Sequence, residues 1–129
     1  MLTREEILNI NDRKTETVEI KEWGGSVNVR SLTLLEQAQM ADANTATEKK
    51  PVVERVKKAQ LFLIVTACVD DEGRPLFKKD DVDALMTKSP GAIQTIQDAI
   101  FRVSGLSPDA VEDAEKNLPV VQSEDSSSS

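Results

Sequence analysis

The segment from Pro51 to Ala67 constrains the fold more than any other. Val52, Val56, Ala59, Leu63 and Ala67 recur at helical spacing behind a proline suited to a first helical turn. Leu61, Phe62, Ile64 and Val65 then make the far half of that helix apolar nearly all round. A helix of this kind needs cover on every side, and a chain of 129 residues has few elements with which to provide it. Two readings stand side by side. Either Leu61 to Val65 is the hub of a helical bundle, or part of it is covered by a partner, self-association being the commonest way of meeting the second case.

The elements around this helix can be read from caps and periods. Thr3 and Glu6 have capping-box spacing, with Leu2 and Ile7 placed as a hydrophobic staple, which predicts a first helix from about Arg4 to Ile10 that stops at Asn11-Asp12. Between Thr15 and Arg30 the period changes to two. Val18 and Ile20 lie on one arm, Val27 and Val29 on the other, and a Gly24-Gly25 type I′ turn between them would set Ile20 opposite Val29 and Glu19 opposite Arg30. A lone hairpin is marginal in water, so its apolar face is expected against helices or against another chain. Thr33 and Glu36 open a second helix through Leu34, Leu35, Ala38 and Met40, which fades in the polar stretch Asp42 to Lys50. Asp70 to Pro75 breaks the central helix, and Leu76-Phe77 forms a short apolar anchor. Asp80, Asp81 and Asp83 charge the start of a fourth helix carrying Val82, Leu85 and Met86. Ser89-Pro90 caps a fifth, with Ile93, Ile96, Ile100 and Val103 in one stripe up to Gly105, and Ser107-Pro108 repeats that opening for a short last helix through Ala110, Val111 and Ala114. The expected fold is therefore α+β and mainly α-helical. It is a small helical bundle with an N-terminal β-hairpin at about 15–30, occupying residues 1–117 and followed by a disordered, acidic, Ser-rich tail over 118–129.

Composition narrows the function classes. Sixteen Lys and Arg against twenty-three Asp and Glu give a net charge of −7, which repels a phosphate backbone, and Trp23 with three Phe is too little aromatic surface for a row of base-stacking platforms. Nucleic acid is not an expected partner. The longest uninterrupted apolar stretch, Leu61 to Val65, falls far short of the roughly 20 residues that span a bilayer. The start of the chain lacks the apolar stretch of a signal peptide and the single Cys68 cannot close an intrachain disulfide, so no membrane association is expected and the cytoplasm is the expected compartment.

No catalytic, cofactor or metal residues are predicted. There is no His or Tyr, and nothing sets a nucleophile beside a base; Cys68 follows an apolar helix and reads as an inert buried thiol. Asp70, Asp71 and Glu72 before Gly73, with Asp80, Asp81 and Asp83, invite a calcium or magnesium reading. The acids are adjacent rather than alternating, and Lys78-Lys79 sits among them, so a solvated turn and a charged helix start fit the spacing better than an ion-binding loop. Gly24-Gly25 leads into a strand and is a turn, not a phosphate loop. Trp23 at the hairpin tip is either a packed cover over the sheet face or a binding anchor. The candidate partner-binding residues are thus Trp23, Leu61, Phe62 and Val65.

A family resemblance covers most of Val18 to Asn117. The hairpin segment Glu22-Trp23-Gly24-Gly25-Ser26-Val27-Asn28-Val29-Arg30-Ser31-Leu32-Thr33 carries part of it, as does the phrase Cys68-Val69-Asp70-Asp71-Glu72-Gly73-Arg74-Pro75-Leu76-Phe77. With Asp81-Val82, Leu85, Asp98-Ala99-Ile100 and Ser104-Gly105-Leu106, these resemble the tail assembly chaperones of long-tailed bacteriophages. The resemblance implies a non-enzymatic, oligomeric protein of the host cell cytoplasm, absent from mature virions. Its expected partner is the tape measure protein, which such chaperones keep soluble while tail tube subunits polymerise around it. It also implies a longer, frameshifted form that engages the major tail protein, this chain matching the shorter form. Two rivals belong to other classes: a structural tail completion or adaptor protein of the virion, and a small metal-dependent enzyme using Asp70, Asp71, Asp80 and Asp81.

Overall fold

The computed structural model describes residues 1–106; the predicted last helix and the tail lie outside the described residues. The fold is α+β and mainly helical, with a three-stranded antiparallel sheet in the order β1-β2-β3. Strand β1 (Thr15–Ile20) and strand β2 (Gly25–Arg30) form the hairpin. Strand β3 (Cys68–Val69) adds to β2 through the pairs Val29↔Cys68 and Asn28↔Val69. Helices α1 (Arg4–Asn9), α2 (Leu34–Thr47), α3 (Val52–Arg55), α4 (Leu61–Ala67), α5 (Val82–Leu85) and α6 (Pro90–Val103) complete the described chain.

The hairpin register differs from the sequence-based expectation. Ile20 pairs with Gly25, Val18 with Val27 and Thr15 with Arg30, because Lys21–Trp23 forms a 3-10 turn closed by Gly24. Gly24 N–H donates to the Lys21 carbonyl at 3.2 Å, with φ 65. This turn needs only one residue with positive φ, whereas the predicted type I′ turn needs two, and it leaves Gly25 free to begin β2. The shift is by an even number of residues, so Val18, Ile20, Val27 and Val29 keep their common face.

That face packs on α6, whose Ile93, Ile96 and Ile100 are buried together with Val18, Ile20 and Val29. Leu61, Leu63, Ile64 and Ala67 of α4 close the core from the other side, and Met40 of α2 joins them. The first reading of the central helix, as hub, therefore describes α4. Two further expectations are corrected. Helix α2 does not fade at Asp42 but runs to Thr47: Ala38, Ala41, Ala43 and Ala46 are strong helix formers, and Thr47 is itself buried, its hydroxyl donating to the Ala43 carbonyl at 2.7 Å. Cys68 follows α4 and is buried, as expected, and it also opens β3, which takes up the free edge of β2. The central helix is also not uniform, since Val56–Gln60 is a π-helical turn between α3 and α4. A π turn packs more residues into each turn than an α-helix and shifts the phase of everything beyond it. Val52 is accordingly exposed, although its spacing placed it on the stripe of Leu63 and Ala67.

Both predicted capping boxes form. Thr3 and Thr33 accept from the backbone N–H of Glu6 and Glu36, whose carboxylates accept in return from the cap N–H groups. Ser89 makes no side-chain cap hydrogen bond, and Pro90 alone marks the start of α6.

Candidate partner-binding grooves

The predicted binding residues fall in three different environments. Phe62 and Val65 are half-buried on the outer side of α4 and, with Val82 of α5, form the apolar floor of a groove of about 740 Å³. Lys57, Lys58 and Lys79 stand on its rim with Asp80 and Asp83. One ion pair, Lys57 Nζ to Asp83 Oδ1 at 2.7 Å, ties the π turn to α5 and holds the two walls together. Lys58 pairs with Glu54 at 3.1 Å, and its hydrogen bond followed by its charge lowers the Glu54 carboxyl below its ordinary value. Lys79 has no ion pair among the described residues and offers a free cation at the groove mouth.

Trp23 lies in a second groove, of about 340 Å³, lined by Val27, Leu76, Phe77, Leu85 and Lys88. The 3-10 turn ends at Trp23, which lines this groove together with Leu76-Phe77. That loop is held by Leu76 N–H donating to the Cys68 carbonyl at 3.0 Å and by the bridge between Val69 and Pro75. Helix α5 is the wall between the two grooves, giving Val82 and Asp83 to one and Leu85 to the other. Leu61 belongs to neither. It is only 2 % exposed and packs in the core, so its place among the predicted surface residues is corrected. The phase of α4 itself is the reason: at about 100° per residue Leu61 falls on the arc of Leu63, Ile64 and Ala67, while Phe62 and Val65 fall on the opposite side.

Two further features were not found from the sequence. A third groove, of about 380 Å³, runs between α2, the helix α3 with its π turn, the start of α4, and α6; its apolar floor of Met40, Val52, Val56, Leu63 and Phe101 is flanked by Asn44, Gln60 and Gln97, with Arg55 at its edge. No sequence signal marks it, since its walls come from elements far apart in the chain. The other is α1, which buries none of its residues.

The acidic turn is occupied by its own backbone. Asp70 Oδ1 accepts from the N–H groups of Glu72 and Arg74, each at 2.9 Å. The Arg74 N–H contributes most to holding the Asp70 carboxyl below its ordinary value. Asp71 accepts from Asn28 at 3.2 Å, and Asp81 accepts from the Lys78 N–H at 2.8 Å. Among the described residues no three His, Cys, Asp or Glu side chains converge to hold a metal ion, and no helix is long and apolar enough to cross a membrane. Cys68 is fully buried in β3, and burial raises its thiol pKa to about 12. Compared with known proteins, the chain matches no family model, no curated protein and no solved structure.

Proposed function

We propose that this chain is a non-enzymatic tail assembly chaperone of a long-tailed bacteriophage, acting in the host cell cytoplasm. It holds an amphipathic helix of the tape measure protein in the groove floored by Phe62, Val65 and Val82. The observation that supports this reading most is that groove itself: apolar side chains of the central helix, left half-open to solvent, between rims of lysine and aspartate. Such a surface suits a helix that inserts apolar anchors at helical spacing and sets its polar flanks against charged rims. No cofactor enters this function, which consists of covering a partner's apolar face until the tail tube does so. Engagement of the major tail protein falls to a longer, frameshifted form, and the chaperone leaves before the virion is complete.

The test is co-expression with a tape measure protein from the same phage, followed by pull-down. The wild-type chain should keep the tape measure protein soluble, and Phe62→Asp should lose it while remaining folded. Undiminished capture by Phe62→Asp, or the chain's presence in purified mature virions, would overturn the proposal.

A further inference from the structure

We infer that the N-terminal arm of one copy docks in the groove between α2, α3 and α6 of a second copy. The arm is an apolar surface without cover. Leu2, Ile7, Leu8 and Ile10 are between 49 and 65 % exposed, and α1 buries no residue of its own chain. A six-residue helix is far below the length at which helices are stable in water, so this one gains most from an apolar seat. Its root, in contrast, is fastened. Arg13 donates to the Ser31 carbonyl at 3.2 and 3.0 Å and to Glu36 at 2.7 Å, and Lys14 N–H donates to the Ser31 hydroxyl at 2.8 Å. Everything ahead of Arg13 therefore projects from a fixed point and does not fold back over the core.

The groove between α2, α3 and α6 supplies the complementary half. Its apolar floor is made of Met40, Val52, Val56, Leu63 and Phe101, flanked by the polar Asn44, Gln60 and Gln97, and nothing in the described chain fills it. Arg55 at its edge makes no ion pair among the described residues, while the Glu5 carboxylate on the arm is exposed and pairs there only with its neighbour Arg4, at 3.7 Å. Seating the arm brings this carboxylate to that guanidinium, with Ile7 and Leu8 against the groove floor. Each molecule carries one arm and one vacant seat of matching character, which is the arrangement of a head-to-tail contact between copies. This surface lies apart from the Phe62 groove, so the inference stands or falls independently of the proposed function.

The test uses two full-length variants, Ile7→Asp/Leu8→Asp to disable the arm and Val52→Asp to disable the seat. Both sites are exposed, and an aspartate at the start of α3 favours the helix, so both variants should keep the wild-type circular dichroism. Sedimentation velocity should show concentration-dependent association of the wild type and at least a tenfold weaker association for each variant alone. Mixing the two should restore a 1:1 complex, because one contributes an intact seat and the other an intact arm. A monomeric wild type, including one whose arm cross-links within its own chain, overturns the inference. So does either variant associating as tightly as wild type, or a mixture that stays monomeric.

Discussion

Cys68 and Asp70, two residues apart, illustrate opposite ways in which the fold treats a titratable group. Burial in β3 raises the Cys68 thiol to about 12, so the thiolate is absent at neutral pH. A thiol-reactive reagent should leave native protein unlabelled at pH 7.5 over hours and label it at once in denaturant; rapid native labelling would show that β3 opens readily. Asp70 sits on the surface and its carboxylate is favoured by the N–H groups of Arg74 and Glu72. Its folded pKa is lowered, so its contribution to stability is present above the ordinary carboxylate value of about 3.9 and is lost as pH falls through the lowered folded value. Asp70→Asn keeps the shape and removes the charge. It should melt below wild type at pH 7, and the two melting curves should converge as the pH is taken well below 4; a constant gap would mean that the charge contributes nothing.

At the scale of elements, the central helix presents faces that should respond differently. Leu63 and Ala67 point into the core, so Leu63→Ala should cost about 2–5 kcal/mol as a cavity-forming truncation, and Ala67→Asp should leave no folded protein. Phe62→Asp, on the half-open side, should retain the circular dichroism spectrum and most of the melting temperature. Loss of the fold there would make the Phe62 groove a packing defect and not a binding surface. Much of this was legible in the sequence. The alternation of Val18 and Ile20 with Val27 and Val29 marked both strands and their buried face, and the Thr-x-x-Glu patterns marked two helix starts. The apolar run pointed to Phe62 and Val65 because it has more sides than a small bundle can cover. What escaped has physical causes. A two-residue strand such as β3 is too short to show alternation, and a turn that uses one glycine of a Gly-Gly pair looks the same in sequence as a turn that uses both. Leu61 was misplaced because a run that is apolar all round does not show which of its sides meets the core. The exposure of α1 was hidden because apolar residues in a short helix look alike whether they face their own core or another chain.

Taken as a whole, the described molecule has one core in which α6 touches both the sheet and α4, so hairpin and helices should unfold together. Ile100, fully buried, belongs to that shared contact. Ile100→Ala should lower stability by about 2–5 kcal/mol, equivalent to a drop of roughly 4–8 °C per kcal/mol for a domain near this size. The fluorescence of Trp23, which reports the hairpin end, should fall at the same temperature as the far-ultraviolet helical signal. Separated transitions would mean that the hairpin is an independent unit. The π turn carries a last consequence for how such a chain can vary over time. Its five residues Val56–Gln60 complete roughly the turn that an α-helix completes with one residue fewer, so removing one of them converts the π turn to α and leaves α3 and α4 on nearly their present bearings. A one-codon deletion is therefore absorbed in that turn, whereas the same deletion within α4 would swing Val52 and Arg55 by about 100° around the helix axis relative to the residues still seated in the core.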